Sequence, residues 1–167
     1  TMLLMGMVAM LEYDIKRVIA YSTLSQLGMM IGLCGLSGYV FSAYHLATHA
    51  AFKALLFLAA GAVIVASNHE QDLRKLGGMR YHQTIHFSMF IGLASMTAIP
   101  PLSGFFSKDA MIAFIHASDN IGMYTVIVMG AVITALYSTR LYYLLFWQRN
   151  KSMKLLPVSV SMRWPLW

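Results

Sequence analysis

The sequence predicts an all-α integral membrane protein with about five transmembrane helices, and three observations lead to this fold class. Of its 167 residues, 59% are hydrophobic and only 11% are charged, and the mean hydropathy is +0.65. The apolar residues form long runs, and about 20 residues of helix are enough to cross roughly 30 Å of hydrocarbon. Most Lys and Arg residues stand near the ends of these runs, as is typical of membrane spans.

Five apolar segments are predicted as helices, in chain order. They cover residues 1–11, 18–36, 40–66, 84–116 and 121–147. The first is too short to cross by itself, so we expect a truncated span in a chain that begins within a bundle. The fourth is expected to be broken, because Pro100 and Pro101 remove backbone donors inside it. We therefore expect a transmembrane helix bundle over 1–147 and a basic tail over 148–167.

The basic residues of the connections predict the orientation of the spans. Three connections carry them: Lys16 and Arg17; Arg74, Lys75 and Arg80; and Arg149, Lys151, Lys154 and Arg163. These three lie on one side if each segment crosses, and the connections at 37–39 and 117–120 contain no Lys or Arg. The positive-inside rule puts the basic side, including the tail, in the cytoplasm or the mitochondrial matrix. Arg140 is expected to extend to that same side.

Two functional classes do not fit the composition. The net charge of +6 does not indicate nucleic-acid binding, because the basic residues flank apolar runs and form no continuous patch. Cys34 has no second cysteine for an intrachain disulfide, and no Cys/His spacing typical of a metal site occurs, so we interpret Cys34 as a packing residue.

The third segment carries a stripe of titratable residues. His45, His49 and Lys53 are spaced i, i+4 and i+8, so they share one helix face. Thr48 and Ser42 add hydroxyls on or near that face. A lysine at bilayer depth costs several kcal/mol unless it faces protein or water, and histidine titrates closest to neutral pH. We favour a proton relay over the alternative, which is a set of buried histidines bonded to neighbouring helices.

The fourth segment carries a second internal lysine, Lys108, after the predicted break at Pro100 and Pro101. Gly104 adds local backbone freedom there, and broken helices in transporters often mark the ion path. Alternatively, Lys108 and Asp109 mark the outer membrane interface, since a long apolar run precedes the prolines. Adjacent residues do not face each other on a helix, so no ion pair is assumed. The spacing alone leaves both alternatives open.

The connection before the second segment is predicted to be a solvated, charged turn. Its charged residues are Glu12, Asp14, Lys16 and Arg17. The polar run 21–26 (YSTLSQ) then enters the second segment, where its side chains require polar partners or water. This run supports the alternative, in which the turn is buried within a larger assembly.

Five motifs occur in one order over about residues 10–145. They are DIKRVIAYSTLSQLG at 14–28, HLATHAAFKALLF at 45–57, HEQDLRKLGG at 69–78, GFFSKD at 104–109 and YSTR at 137–140. Together they resemble the motifs of antiporter-like proton-pumping subunits of NADH:ubiquinone oxidoreductase, respiratory complex I, in particular the chain 5 type.

The resemblance implies roles for the candidate residues. In that family the His-x-x-x-His-x-x-x-Lys stripe belongs to the connecting part of the proton path in the membrane plane, which maps onto His45, His49 and Lys53. The lysine of the Phe-Ser-Lys-Asp motif is the essential lysine of the second half-channel, on a broken helix. It maps onto Lys108, with Asp109 beside it.

Supporting positions and the extent of the chain also follow from the resemblance. The family places Asp14 and Lys16 near the path, and Thr48 is a supporting hydroxyl on the stripe. The chain corresponds to most of the second of two inverted repeats. We therefore expect a fragment, a partly observed chain or a split subunit that cannot form a complete pump alone.

The resemblance implies one subunit of an enzyme, the proton-translocating NADH:ubiquinone reductase, with no cofactor or redox centre in this chain. FMN, iron–sulfur clusters and ubiquinone are expected in other subunits. The expected partners are other membrane-arm subunits, including whatever supplies the missing first half, and membrane lipids, with no nucleic acid. The expected location is the mitochondrial inner membrane, or alternatively the bacterial plasma membrane.

Two alternatives to the complex I function stay open from the sequence. One is a subunit of a multisubunit Na+/H+ antiporter of the Mrp type, which shares the spans and the buried lysines. The other is a scaffold remnant that holds the membrane arm together without conducting protons.

Overall fold

The structure, a computed structural model, describes residues 1–79 and 82–148. These residues form α-helices joined by short connections: α1 (Met2–Leu11), α2 (Ile15–Gly35), α3 (Tyr39–Ala66), α4 (Gln83–Met96), α5 (Ser103–Ala117) and α6 (Ile121–Phe146). The predicted all-helical membrane class is confirmed, and α2, α3 and α6 are each long and apolar enough to cross a membrane. The predicted basic residues Arg80, Arg149, Lys151, Lys154 and Arg163 lie outside the described residues.

The predicted fourth segment is divided between two helices. α4 ends at Met96, α5 begins at Ser103, and Pro100 and Pro101 lie in the connection between them. Ala98, in the same connection, has a positive φ of 64°, so the helical path is lost before the prolines are reached. Neither half reaches the length of a full crossing, and together they make the broken span that the prolines predict.

Gly104 sets how closely the two halves approach. A Cβ atom at this position would collide with the carbonyl oxygen of Ser95, which no side chain can tolerate. The backbone N–H of Gly104 donates to the Ser95 hydroxyl at 3.2 Å. The first turn of α5 therefore packs directly on the last turn of α4. As a result, the side chain of Lys108 lies close to the break.

The basic connections meet at one end of the bundle. The Asp14 carboxylate accepts from the backbone N–H groups of Lys16 at 2.8 Å and Arg17 at 3.1 Å, which caps α2. The N–H of Leu73 donates to the carbonyl of Tyr13 at 2.8 Å, so the connection after α3 lies against the turn before α2. These contacts fix the ends of α2 and α3 relative to each other.

The ring of Tyr13 lies between two guanidinium groups at this end. The distances from its centroid are 4.6 Å to Arg74 and 4.7 Å to Arg140, which are cation–π contacts. Arg140 also donates to the carbonyl of Glu12 at 2.8 Å. Hydrogen bonds from Arg74 lower the pKa of Asp72 to about 2, so this carboxylate keeps its charge at physiological pH. The contacts of Arg140 with the Tyr13 ring and the Glu12 carbonyl place its guanidinium group at the basic end, as predicted.

Apolar side chains cover much of the outer surface of the bundle as well as its interior. Exposed large hydrophobic residues include Leu4, Ile31, Val40, Val132 and Leu136. An outward apolar surface of this kind suits a hydrocarbon environment. Cys34 is half-buried and free, consistent with the predicted packing role. The interior of the bundle also contains buried polar residues, which lie between α2, α3, α5 and α6.

Candidate functional site

Lys53 lies in the middle of α3 and is buried, with 5% of its surface exposed. Its ammonium group donates to the Ser22 hydroxyl at 2.5 Å and approaches the Ile19 carbonyl at 3.4 Å. It also contacts the sulfur of Met96 at 3.2 Å. The partners come from α2 and from the end of α4, so Lys53 faces the interior of the bundle, as the helical stripe predicts.

Lys108 binds a carbonyl group that the helix break leaves free. In an unbroken helix the Met96 carbonyl would accept from the N–H of residue 100, but Pro100 has no N–H. The Lys108 ammonium donates to this carbonyl at 2.6 Å. The carbonyl end of α4 also carries the negative end of the helix dipole, which favours a cation there. Because Lys108 is 5% exposed, it lies inside the bundle and not on its outer surface.

Met96 therefore contacts both internal lysines. Its backbone oxygen accepts from Lys108 and its sulfur lies against Lys53, and the Tyr137 hydroxyl approaches the same sulfur at 3.9 Å. The two lysines, 55 positions apart in sequence, meet around the last residue of α4. The broken helix thus brings the predicted stripe and the predicted second lysine together.

His45 is fully buried and bonded through both ring nitrogens. Nδ1 lies 2.8 Å from the Ser107 hydroxyl on α5, and Nε2 lies 3.3 Å from the Gln26 amide oxygen on α2. Thr48, half-buried, donates to the same Ser107 hydroxyl at 2.9 Å. On the far side, the Gln26 amide nitrogen donates to the Thr134 hydroxyl on α6 at 3.2 Å. One line of polar contacts therefore crosses the bundle from α3 to α6.

His49 occupies the stripe between His45 and Lys53. Its ring lies 6.1 Å from that of His45 and 5.3 Å from that of Phe52, measured between centroids. It is 4% exposed, and its Nε2 has no hydrogen-bond partner among the described residues. A buried polar atom in this state usually bonds to water, so this is the position at which the stripe is best placed to take one.

Sequence reasoning did not single out Tyr137 and Thr134 of α6, or Ser107 of α5. The Tyr137 hydroxyl approaches Ser22, Gln26 and Thr134, and so bridges the surroundings of Lys53 and His45. The polar run 21–26 did indicate part of this network, because Ser22 and Gln26 are four residues apart and therefore share one face of α2. Ser107 precedes Lys108 directly, but its contact with His45 depends on the break.

Three of the predicted residues lie away from this interior network. Asp109 is exposed on α5, although it directly follows the buried Lys108. Asp14 is half-buried and caps α2, and Lys16 is exposed beside it. Their roles in a proton path stay predictions. Within residues 1–79 and 82–148, no group of three or more His, Cys, Asp or Glu side chains is arranged to hold a metal ion.

These features define a class of membrane protein: a helix bundle with one broken helix, whose break faces titratable residues inside the bundle, as in ion-coupled transporters. The family described as "NADH:quinone oxidoreductase/Mrp antiporter, TM" matches residues 1–134. The chain therefore belongs to this family of antiporter-like membrane subunits.

Relatives that are named as subunits of NADH-ubiquinone or NADH-quinone oxidoreductase support the family assignment. NADH-ubiquinone oxidoreductase chain 5 of Acanthamoeba castellanii is 44% identical over 156 residues, covering 91% of this chain and 23% of that protein. Chain 5 of Rhizopus stolonifer is 50% identical over 142 residues, covering 82% and 22%. NADH-quinone oxidoreductase subunit L of Escherichia coli (strain K12) is 43% identical over 148 residues, covering 87% and 24%. The chain thus spans about a quarter of the length of these relatives.

A solved structure shares the arrangement of helices. A chain in the structure of the Mrp complex from Dietzia sp. DQ12-45-1b superposes with a TM-score of 0.83 and 27% identity, over 90% of this chain and 29% of that chain. The resemblance predicted from the five motifs is confirmed at the level of the family, and the complex I relatives have the higher sequence identity.

Proposed function

We propose that the chain is part of a proton-translocating membrane-arm subunit of NADH:ubiquinone oxidoreductase and supplies one section of its proton path. Lys53, His49, His45 and Lys108 are the proton-carrying groups, supported by Thr48. Asp109, Asp14 and Lys16 lie away from the interior network, and in this proposal they act on the path without contacting it directly. FMN, iron–sulfur clusters and ubiquinone are assigned to other subunits.

The observation that carries this proposal is the meeting of Lys53 and Lys108 around Met96. None of the six acidic residues of the chain is buried, so no carboxylate inside the bundle fixes the lysines in the charged form. Two like charges repel strongly in a poorly polarisable interior. A proton on one lysine therefore disfavours a proton on the other, which couples their loading and release.

The partners and the location follow from the same proposal. Membrane-arm subunits, including the part of the subunit that supplies the first repeat, would surround the bundle together with lipids. The mitochondrial inner membrane is favoured, since chain 5 relatives reach 50% identity; the bacterial plasma membrane is the alternative.

Replacing each lysine by Met in the assembled complex tests the proposal. The substitution keeps an apolar side chain of similar length and removes the proton-carrying group. We expect Lys53→Met and Lys108→Met to lower NADH-driven proton pumping several-fold in closed membrane vesicles. Lys75→Met, which removes an exposed lysine from the connection after α3, is the matched control and should pump normally. Unchanged pumping in either internal variant would remove that residue from the path.

The likeness to the Mrp complex supports a second candidate, a subunit of a multisubunit Na+/H+ antiporter. The two candidates differ in their companions. A complex I subunit purifies with redox subunits and with NADH oxidation that rotenone or piericidin inhibits. Purification without redox subunits would instead support the antiporter. Normal pumping in both lysine variants within an intact complex I would favour a scaffold that conducts no protons.

A further inference from the structure

A groove runs along the outer surface of the bundle between α4 and α6. It consists of two adjoining cavities, because Phe90 and Tyr142 line both of them. As open to the centre of a water-sized sphere, the cavities have volumes of about 640 Å³ and about 120 Å³. The larger volume lies within the range of about 300–1,000 Å³ that is typical of small-molecule pockets. Phe87, Phe90 and Thr139 are exposed along the groove, so it opens to the surroundings of the bundle.

The larger cavity has polar side chains in its lining and lies at the basic end of the bundle. Thr84 and His86, from the first turn of α4, line it, and His86 Nε2 lies 2.6 Å from the Tyr142 hydroxyl of α6. The connection that precedes α4 carries the basic residues of this end. α6 ends nearby with the exposed rings of Tyr143 and Trp147, as is typical of a membrane–water interface. The polar end of the groove therefore lies at the depth of lipid headgroups.

The smaller cavity continues the groove as an apolar end towards the helix break. Leu93 and Ala94 line it, together with two threonines. The hydroxyl of Thr97 donates to the Leu93 carbonyl at 3.0 Å, and that of Thr139 donates to a carbonyl one turn back in α6 at 2.8 Å. Because these donors are used within their own helices, the apolar end suits a hydrocarbon chain better than a polar ligand.

The length of the groove matches one leaflet of a bilayer. It follows α4, whose 14 residues span about 21 Å at about 1.5 Å per residue. A bilayer with its headgroup regions is about 40–45 Å thick, so one leaflet takes half of that. The groove therefore begins among the headgroups and ends near the middle of the bilayer, beside the break. A transmembrane helix of another subunit would need a groove about twice as long.

We propose that this groove binds one phospholipid from the leaflet on the basic side. Its phosphate lies at the polar end, where Gln83 and Thr84 carry side-chain donors, and one acyl chain follows the apolar end past Leu93. The basic residues of this end favour an anionic headgroup. The proposal depends on the membrane location of the bundle and not on the proton path.

Photo-crosslinking in the purified, assembled complex tests this site. The probe is phosphatidylglycerol that carries a diazirine group near the end of one acyl chain. We expect it to label Leu93 and Ala94 several-fold more strongly than Leu4, which is exposed on α1 away from the groove. Equal labelling of the groove and of Leu4 would mean that lipid only passes over this surface, and would overturn the proposal.

Thr139→Trp tests whether the apolar end holds the chain. Thr139 is exposed and lines this end, so the indole fills it and leaves the buried lysines and histidines in place. We expect labelling of Leu93 and Ala94 to fall several-fold. Thr125→Trp is the matched control, since Thr125 is also exposed on α6 and its hydroxyl donates within its own helix at 2.8 Å. This control should be labelled like the wild type.

Two further measurements complete the test. Thr84→Val has nearly the same shape without the hydroxyl, and it should lower labelling if this hydroxyl binds the phosphate; unchanged labelling would overturn the placing of the headgroup. Unchanged labelling in Thr139→Trp would overturn the placing of the chain. If Thr139→Trp does not assemble, a high-resolution map of the wild-type complex decides. Lipid density with a phosphate beside Thr84 supports the proposal, whereas an empty groove or a helix of another subunit there overturns it.

Discussion

Pro100 has no N–H to bond to the Met96 carbonyl, which binds Lys108 instead. In Pro100→Ala an N–H returns at this position, and where α4 extends past Ala98 this N–H competes with Lys108 for the Met96 carbonyl. A hydrogen bond to a charged group contributes about 1.5–3 kcal/mol, so this competition is large enough to shift where the ammonium lies. We expect Pro100→Ala to lower proton pumping of the assembled complex to a level between those of the wild type and Lys108→Met.

Ile99→Ala is the control for this substitution. Ile99 is exposed, and its own N–H already bonds to the Ala94 carbonyl at 3.0 Å, so replacing its side chain leaves the Met96 carbonyl unaffected. Pumping should match the wild type. If Pro100→Ala also matches the wild type in an assembled complex, the contact between Lys108 and Met96 is not needed for function.

At the same scale, the stripe on α3 could be predicted and its partners could not. The spacing of His45, His49 and Lys53 follows from helix geometry alone. The Met96 contacts use a backbone carbonyl and a thioether, which carry no polar signal in a sequence. Gln26 and Thr134 bond across 108 positions, and only the packing of α2 on α6 brings them together.

At the scale of the helices, the junction of α4 and α5 depends on glycine at position 104, because the lack of a side chain there lets the two helices approach closely. In Gly104→Ala the added methyl would meet the Ser95 carbonyl, a backbone atom that cannot rotate away. Overpacking typically costs about 1–3 kcal/mol, and we expect at least that much destabilisation at so close a contact. The yield of assembled complex and its thermal unfolding midpoint should both fall.

Gly61→Ala provides the comparison for this junction. Gly61 lies within α3, and a Cβ atom there would have no neighbour within 4 Å. Alanine is favoured over glycine inside a helix by roughly 0.5–1 kcal/mol, so this variant should be as stable as the wild type or slightly more stable. Equal loss of stability in both variants would mean that helix flexibility, and not the close approach, explains the Gly104 result.

The bounds of the helices show how local chemistry limits prediction at this scale. The second segment was predicted to begin near residue 18, because Lys16 and Arg17 were assigned to a loop. α2 in fact begins at Ile15, since the Asp14 side chain bonds to the N–H groups of both basic residues and draws them into its first turn. The break in the fourth segment was predictable, because proline removes a donor wherever it stands.

At the scale of the whole molecule, the two ends of the bundle differ in charge. Hydrogen bonds gather the connections around Tyr13 and Leu73 at one end, where Arg74 and Arg140 also lie. At the other end, Phe41 and Phe114 pack with ring centroids 4.8 Å apart, and the nearby connections 36–38 and 118–120 contain no Lys or Arg. The positive-inside rule therefore predicts that the Tyr13 end faces the matrix or the cytoplasm.

Labelling of single cysteines from each side of the membrane tests both this orientation and the crossing by the broken span. In a Cys34→Ser background, Lys75→Cys should react with a membrane-impermeant maleimide only from the matrix or cytoplasmic side. Ser118→Cys, at the exposed end of α5, should react only from the opposite side. If the two sides are exchanged, the orientation is wrong but the crossing stands. If both positions react from one side, α4 and α5 do not form a crossing, and Lys108 lies in a re-entrant segment.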